Sequence, residues 1–239
     1  MEPQEHKVIL LIVDISGYDH SIFDTHRGLI HGQVMIAQLM QSVVGCLSAP
    51  LEIAKQDGDY LLLYAIKSGG EAQWEEIEHA IGRQLLAFFT AFTIKLHYLR
   101  ASNLCRCRAC KNIGSLKLKV FAHSGKALFS PHGNHFHISG DDITLVHRIA
   151  RNALTSSKYL LMTRSAFEEI LFPDEIDVLE SKETIQDNDV ETFIYLPPEE
   201  EIFPSVNYLS KLLCAAMLGI HNLLHTLHLK KSTTFQHLP

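Results

Sequence analysis

At 239 residues, 46% of them hydrophobic and 20% charged, the chain can bury a full core as one domain of ordinary size with an appendage. A formal net charge of -6, with fifteen histidines counted as neutral, leaves no basic footprint for nucleic acid. Five cysteines, three of them between positions 105 and 110, are not the spread framework of a secreted disulfide domain.

The N-terminal residues Met1 to Lys7 include Glu2 and Glu5 where a signal peptide has a basic region, so the expected compartment is the cytoplasm. Val8 to Val13 is apolar at every position, as in a central strand buried on both faces, and it ends in Asp14 followed by the turn-prone Ser16-Gly17. A polar loop is expected over His20 to Arg27. Ile36, Met40, Val43 and Leu47 then recur at helical spacing, which predicts a helix over Leu29 to Leu47. Two apolar runs between Leu51 and Ile66 flank Asp57-Gly58, a strong signal for a tight β-hairpin, and Asp59 sits where the second strand leaves the turn. If that hairpin neighbours the first strand, Asp14 and Asp59 converge on one sheet edge, an arrangement suited to Mg²⁺ bound with a polyphosphate. Turn chemistry alone would also place an aspartate at position 59.

After Gly69-Gly70 an apolar stripe from Trp74 to Leu96 predicts a long second helix. The cysteine-bearing segment 103–114 follows. Leu116, Leu118, Val120 and Ala122 alternate as in a strand with one face buried, and a short strand is expected over Gly125 to Phe129. Further on the expectations are a helix over Asp141 to Leu154, a strand over Tyr159 to Met162, and a short helix over Ser165 to Leu171 with Ser165 as N-cap. Strands near Ile176 to Leu179 and Glu191 to Leu196 close the domain. This order predicts an α+β, ferredoxin-like core, a mostly antiparallel sheet with helices packed on one face. Residues 1–198 are read as that domain, with 103–114 as an insertion. Residues 199–239 are read as a linker and an amphipathic helix over Pro204 to Lys231, too polar to span a bilayer. The helix would pack on the domain, a second subunit or a partner protein, or attach peripherally to a membrane.

Three segments, in order, carry a family resemblance. Residues 13–18, VDISGY, resemble the FxDIxGFT motif of class III nucleotidyl cyclase catalytic domains. Residues 55–59, KQDGD, resemble their KxxGD hairpin, and residues 140–153, GDDITLVHRIARNA, resemble their GxxVNxAxR segment. The resemblance covers roughly residues 7 to 196 and implies the ferredoxin-like cyclase fold. It also implies conversion of a nucleoside triphosphate to a 3′,5′-cyclic nucleotide and pyrophosphate with two Mg²⁺ or Mn²⁺ ions. By the same resemblance Asp14, the carbonyl of Ile15 and Asp59 are metal ligands, and the amides of Ser16, Gly17 and Tyr18 face the phosphates. Lys55 matches the base-reading lysine of adenylyl cyclases, which tilts the reading to ATP, although an edge lysine in solvent looks the same. Lys55 lies two residues beyond Ile53 and so is expected on its face. The companion base-reading position falls on His137, where the family has Asp, Thr or Cys. Arg148 matches the arginine that stabilises the reacting phosphate, and Thr144 stands where an asparagine orients the ribose. No clear counterpart of the triphosphate-binding lysine is present, Lys182 being only nearby. The family builds its site between two catalytic domains, and this chain carries both residue sets, so a homodimer is implied. A catalytically impaired cyclase-like module, or a cyclase of GTP or a pyrimidine triphosphate, are the alternatives.

Outside the resemblance, Cys105, Cys107 and Cys110 form CxCxxC among Arg106, Arg108 and Lys111. They suit structural Zn²⁺ or an iron-sulfur centre if a fourth ligand such as His97 or His123 comes close; the other reading is a reduced, mobile basic loop. His132, His135 and His137 form HxxHxH, read as a polar loop or as a metal- or pH-responsive cluster.

Overall fold

The computed structural model describes residues 3–17, 25–132, 135–151, 158–185, 188–198 and 206–227. Strand β1 (Gln4–Ser16) outruns its apolar segment because both of its edges are paired, antiparallel to β3 (Tyr60–Ile66) and to β4 (Lys117–His132). Val8 to Val13 are all 0% exposed. Ile9, Leu11, Val13 and Ile15 face one core, while Val8, Leu10 and Ile12 face another. With β2 (Glu52–Asp57), β5 (His135–Ser139), β6 (Tyr159–Thr163), β7 (Val178–Ile185) and β8 (Asn188–Tyr195), the sheet has the order β2-β3-β1-β4-β6-β8-β7, and β5 adds to β4. Among the described residues only the β4–β6 pairing is parallel.

Helices cover both faces, not one as expected. Helices α1 (His26–Val44) and α2 (Glu71–Ser102) pack on the first core through Met35, Leu39, Ile81, Leu85 and Phe88. Helix α4 (Asp141–Arg151) covers the second core with Ile143, Val146 and Ile149. The alternation read in β4 describes half of it: Leu118, Val120 and Ala122 face α1 and α2, and Phe121 is equally buried towards α4. A strand central to a sheet has apolar partners on both sides.

Three local expectations change. The strand pair expected at 116–122 and 125–129 is one strand, β4, and Gly125 within it is a close-approach site where a Cβ would stand 2.3 Å from Asp142 Oδ2. Helix α5 (Arg164–Glu169) is capped by Thr163, not Ser165; the Thr163 hydroxyl accepts from Ala166 N at 3.4 Å. The expected histidine loop is strand: His132 ends β4, and His135 and His137 lie in β5, which pairs with it.

The insertion contains α3 (Arg108–Lys111) and a 3₁₀ turn (Ile113–Ser115). Helix α6 (Tyr208–Thr226) docks on α1 and α2 through buried Cys214 and Leu218, and Gln38 Nε2 lies 3.3 Å from Met217 Sδ. Its opposite side leaves Leu209, Leu212, Leu213, Ile220 and Leu223 exposed. Among the described residues no helix is long and apolar enough to cross a membrane. The expected linker 199–205 and the chain beyond 227 lie outside the described residues.

Candidate functional site

One row of the sheet carries Tyr60, Asp14, Lys119 and Tyr159 in register on neighbouring strands β3, β1, β4 and β6, on the side of α4. All four are buried. The hairpin turn between β2 and β3, with Gly58 at φ 51°, folds back so that Asp59 O accepts from Ile15 N at 3.0 Å. This bond fixes Asp59, itself 0% exposed, to the end of the strand that carries Asp14.

The electrostatics follow from Asp14, which interacts with a second buried carboxylate, Asp59, and with a buried amine, Lys119. Burial first, and then the charge of Asp59, push Asp14 up to about 7, with Lys119 opposing. Burial pulls Lys119 below its ordinary value, opposed by Asp14, and its Nζ lies 5.9 Å from the centroid of the Tyr159 ring. Asp14 Oδ1 is buried and has no hydrogen-bond partner among the described residues. A buried oxygen of this kind calls for a donor or a cation. Carboxylate and backbone carbonyl oxygens are the hard donors that Mg²⁺ and Mn²⁺ prefer, so the residues present fit such an ion. The Tyr60 phenol is held above its ordinary value by burial and by Asp14, and its ring stacks on His147 with centroids 5.7 Å apart.

Ser16 ends β1 and is buried. Gly17 follows at φ 111°, where a Cβ would lie 2.2 Å from Ser115 O, and its carbonyl accepts from Ser115 Oγ at 2.7 Å. Only glycine fits that pass. Tyr18 lies outside the described residues.

The other predicted residues form a second group. A bulge between Ile53 and Lys55 shifts the β2 register, pairing Ile53 with Leu63 but Lys55 with Leu62. Leu63 faces α1 and α2 while Leu62 faces α4, so Lys55 stands on the face of Asp14 and not on that of Ile53. His137 is exposed on β5, and β5 touches β2, so the two base-reading candidates lie on contacting strands. His137 pairs with Ser130, whereas Asp14 pairs with Lys119, and β4 curls between these two positions, bringing the centroid of the Phe129 ring within 5.2 Å of that of Tyr64 on β3. Thr144 is exposed on α4 and its hydroxyl donates to Gly140 O at 3.2 Å. Arg148 is half-buried, and neither it nor Lys55 makes an ion pair among the described residues.

Lys182 pairs with Glu191 and lines a surface pocket with His123 and Thr163, well along the sheet from Asp14. The lysine beside the aspartates is Lys119, which sequence reading passed over. Its signal was available, because Lys119 shares a face with Phe121, and a central strand buries that face too.

A second cluster lies where the insertion meets α1. The Sγ atoms of Cys105, Cys107 and Cys110 stand 3.4, 3.5 and 3.4 Å from His31 Nδ1. All four ligand atoms lie within 4.8 Å of one another, a set that can hold a metal such as zinc. The fourth member is therefore His31, not His97 or His123; His123 is engaged by Thr163 at 3.0 Å and Asp142 at 3.2 Å. Asn103 ties the segment together: its Oδ1 accepts from Cys105 N at 2.9 Å, and its Nδ2 donates to Cys110 O at 3.0 Å. Burial, then the charges of Arg27 and His221, lower His31 from its ordinary value, a direction that favours the neutral ring. The outer nitrogen, Nε2, lies 2.8 Å from the Asn222 amide on α6.

The fold is that of class III adenylyl and guanylyl cyclase catalytic domains. The chain is similar to the adenylyl cyclase CyaB from Pseudomonas aeruginosa with a TM-score of 0.60 at 13% identity, covering 84% of this chain and 100% of that one. It is similar to the guanylyl cyclase Cya2 at 0.58 and 13% identity, covering 87% and 100%, and to adenylate cyclases from Trypanosoma brucei at 0.56 and 14%, covering 80% and 88%. Residues 36–159 match the family described as "Protein of unknown function (DUF2652)", and the chain belongs to that family. Among curated proteins it is 26% identical over 128 residues to the uncharacterized protein Rv2561/Rv2562 of Mycobacterium tuberculosis, a match over 54% of this chain and 57% of that relative's length.

Proposed function

We propose that the chain is a nucleotidyl cyclase, an adenylyl cyclase in the first instance, working in the cytoplasm as a homodimer. The observation that carries the reading is the buried pair of Asp14 and Asp59, tied together by the Ile15–Asp59 hydrogen bond at one sheet end beside Lys119. Such a pair is costly to ionise in isolation, and divalent cations bound with a triphosphate offset that cost.

In the reaction the ribose 3′-oxygen forms a bond to the α-phosphorus, and the bond from that phosphorus to the bridging oxygen breaks. Pyrophosphate leaves with the electron pair, and the 3′-hydroxyl proton passes to water. Mg²⁺ or Mn²⁺ supplies charge neutralisation of the attacking oxygen and of the triphosphate. Asp14, the Ile15 carbonyl and Asp59 would hold the ions, and the Ser16 and Gly17 amides would face the phosphates. Lys119, buried next to Asp14, would offer the triphosphate a point charge. Resemblance assigns Arg148 to the charge that develops on the α-phosphate, Thr144 to the ribose, and Lys55 with His137 to the base. The resemblance implies a site shared between two copies, each supplying one of the two residue sets that this chain carries.

A second reading is a cyclase-like module that binds nucleotide without turnover. The Thr144 hydroxyl supports it, because its proton is already given to Gly140 O and it is shorter than the asparagine it replaces. The deciding experiment is incubation of the full chain with Mn²⁺ and each of ATP, GTP, CTP and UTP, read as cyclic product, with Asp14→Asn as control. Product from ATP that the variant does not make supports the adenylyl cyclase. Product from another nucleotide keeps the enzyme and changes the base. No product from a folded dimer favours the binding module.

A further inference from the structure

We propose that Cys105, Cys107, Cys110 and His31 hold one Zn²⁺ as a closed Cys₃His centre, and that Asn222 on the outer nitrogen of His31 makes this centre the latch that seats α6 on the domain. The inference stands apart from cyclase activity and draws on none of the residues assigned to it.

Three sulfurs surround a single ring nitrogen at 3.4 to 3.5 Å. An imidazole nitrogen makes one in-plane hydrogen bond, so hydrogen bonding cannot account for all three. Tetrahedral coordination can. With Zn–S near 2.3 Å and Zn–N near 2.0–2.1 Å, the sulfur-to-nitrogen edge of the tetrahedron is about 3.5–3.6 Å. Four protein ligands leave no open position, which makes the site structural and not catalytic. Thiolate and imidazole donors select against Mg²⁺ and Mn²⁺. A two-iron cluster sets the ligands of its two irons farther apart than this group allows, since all four atoms lie within 4.8 Å.

The surroundings are built to match. Asn103 clamps both ends of the cysteine segment, and Cys107 opens α3 as its N-cap residue. Three thiolates and one dication carry a net charge of about -1, and Arg106, Arg108 and Lys111 lie in the same segment. With Nδ1 facing the metal, the ring proton resides on Nε2, and the Asn222 amide accepts it through Oδ1 after a simple flip. The metal thereby orients His31, and His31 orients α6. That tie matters because, among the described residues, α6 seats on the core through buried Cys214 and Leu218 and half-buried Met217, a narrow apolar footing.

The test uses the full chain. Metal content is measured by mass spectrometry, Co²⁺ is substituted for optical spectra, and hydrogen exchange is followed with and without a chelator. The expected results are one zinc per chain and, with Co²⁺, tetrahedral bands with thiolate charge transfer. Cys110→Ser should lose both, and His31→Cys should retain the metal as a four-thiolate site. Asn222→Leu should bind zinc about 10–100-fold more weakly. On chelation, amides of Tyr208–Thr226 should exchange faster while those of β1 and β4 stay protected. A folded chain that takes up neither zinc nor cobalt overturns the centre. Metal binding with α6 exchange unchanged by chelation and by Asn222→Leu overturns the latch. If Cys110→Ser fails to fold, cobalt spectra of the unaltered chain and of His31→Cys decide the first point.

Discussion

Asp14→Asn separates the electrostatics of the site from its chemistry. In the folded, metal-free chain burial and Asp59 raise Asp14 from 3.8 to about 7, whereas an unfolded aspartate titrates near 3.9. The folded state therefore holds a proton that the unfolded state releases over this interval. The stability contributed by this group is fully present below about pH 4 and is lost as pH rises through about 7. Three pH units at about 1.4 kcal/mol each set a ceiling near 4 kcal/mol. Asparagine is nearly isosteric and cannot ionise. Relative to Asp14→Asn, the unaltered protein should lose up to about 4 kcal/mol between about pH 4 and about pH 8. Other titrating groups are shared by the two proteins and cancel in the difference. Mn²⁺ should return much of the loss at the higher pH by binding the ionised pair, and should do little for the variant. Urea unfolding at both pH values, with and without Mn²⁺, measures all four quantities. A stability gap independent of pH, or equal stabilisation of both proteins by Mn²⁺, would refute the reasoning.

Asp14→Asn and Arg148→Ala should each abolish cyclase activity, yet an equal mixture after subunit exchange should recover up to about a quarter of it, since half the dimers hold one intact site of two; no recovery between exchanging subunits would sink the shared site. Lys55→Glu should move the ATP-to-GTP ratio of kcat/KM by about tenfold or more, and an unchanged ratio would remove Lys55 from base reading. Gly82→Ala improves helix propensity by roughly 1 kcal/mol, but its Cβ would stand 2.1 Å from Leu171 O. Net destabilisation of about 1–3 kcal/mol is expected in thermal or urea unfolding, and a neutral or stabilised variant would show that α2 can shift.

The elements that were legible in the sequence are those whose signal is local. The apolar run before Asp14, the Asp57-Gly58 turn and the long stripe of α2 each report their own period, and each appears within a few residues of its expected place. What was missed depends on a neighbour. Gly125 reads as a break until Asp142 is seen filling the space beside it. The face of Lys55 depends on a bulge that alternation alone does not encode. His31 sits among Leu29, Ile30, Val34 and Met35, where a histidine looks like a core side chain, and its sulfur partners are more than seventy residues away. The cysteine cluster left a metal centre and a reduced loop both open, and the choice of histidine is a matter of which helix end the insertion meets.

The two candidate cation sites are of opposite chemical character, and this allows their roles to be separated. Asp14, Asp59 and the Ile15 carbonyl offer hard oxygens at the end of the sheet, whereas His31 and three cysteines offer nitrogen and sulfur beneath α6. A chelator strong enough to strip zinc empties both. Adding back Mn²⁺ alone refills the oxygen site and leaves the thiolates without a suitable ion. If the sites are independent, Mn²⁺ restores cyclic-nucleotide synthesis while α6 stays loosened. If synthesis also needs zinc, the link runs through α1, whose N-terminal half carries His31 and whose Met35, Ile36 and Leu39 pack in the same core as Val13 and Ile15 of β1. A latch on the C-terminal helix would then act on the metal-binding end of the sheet through one rigid helix.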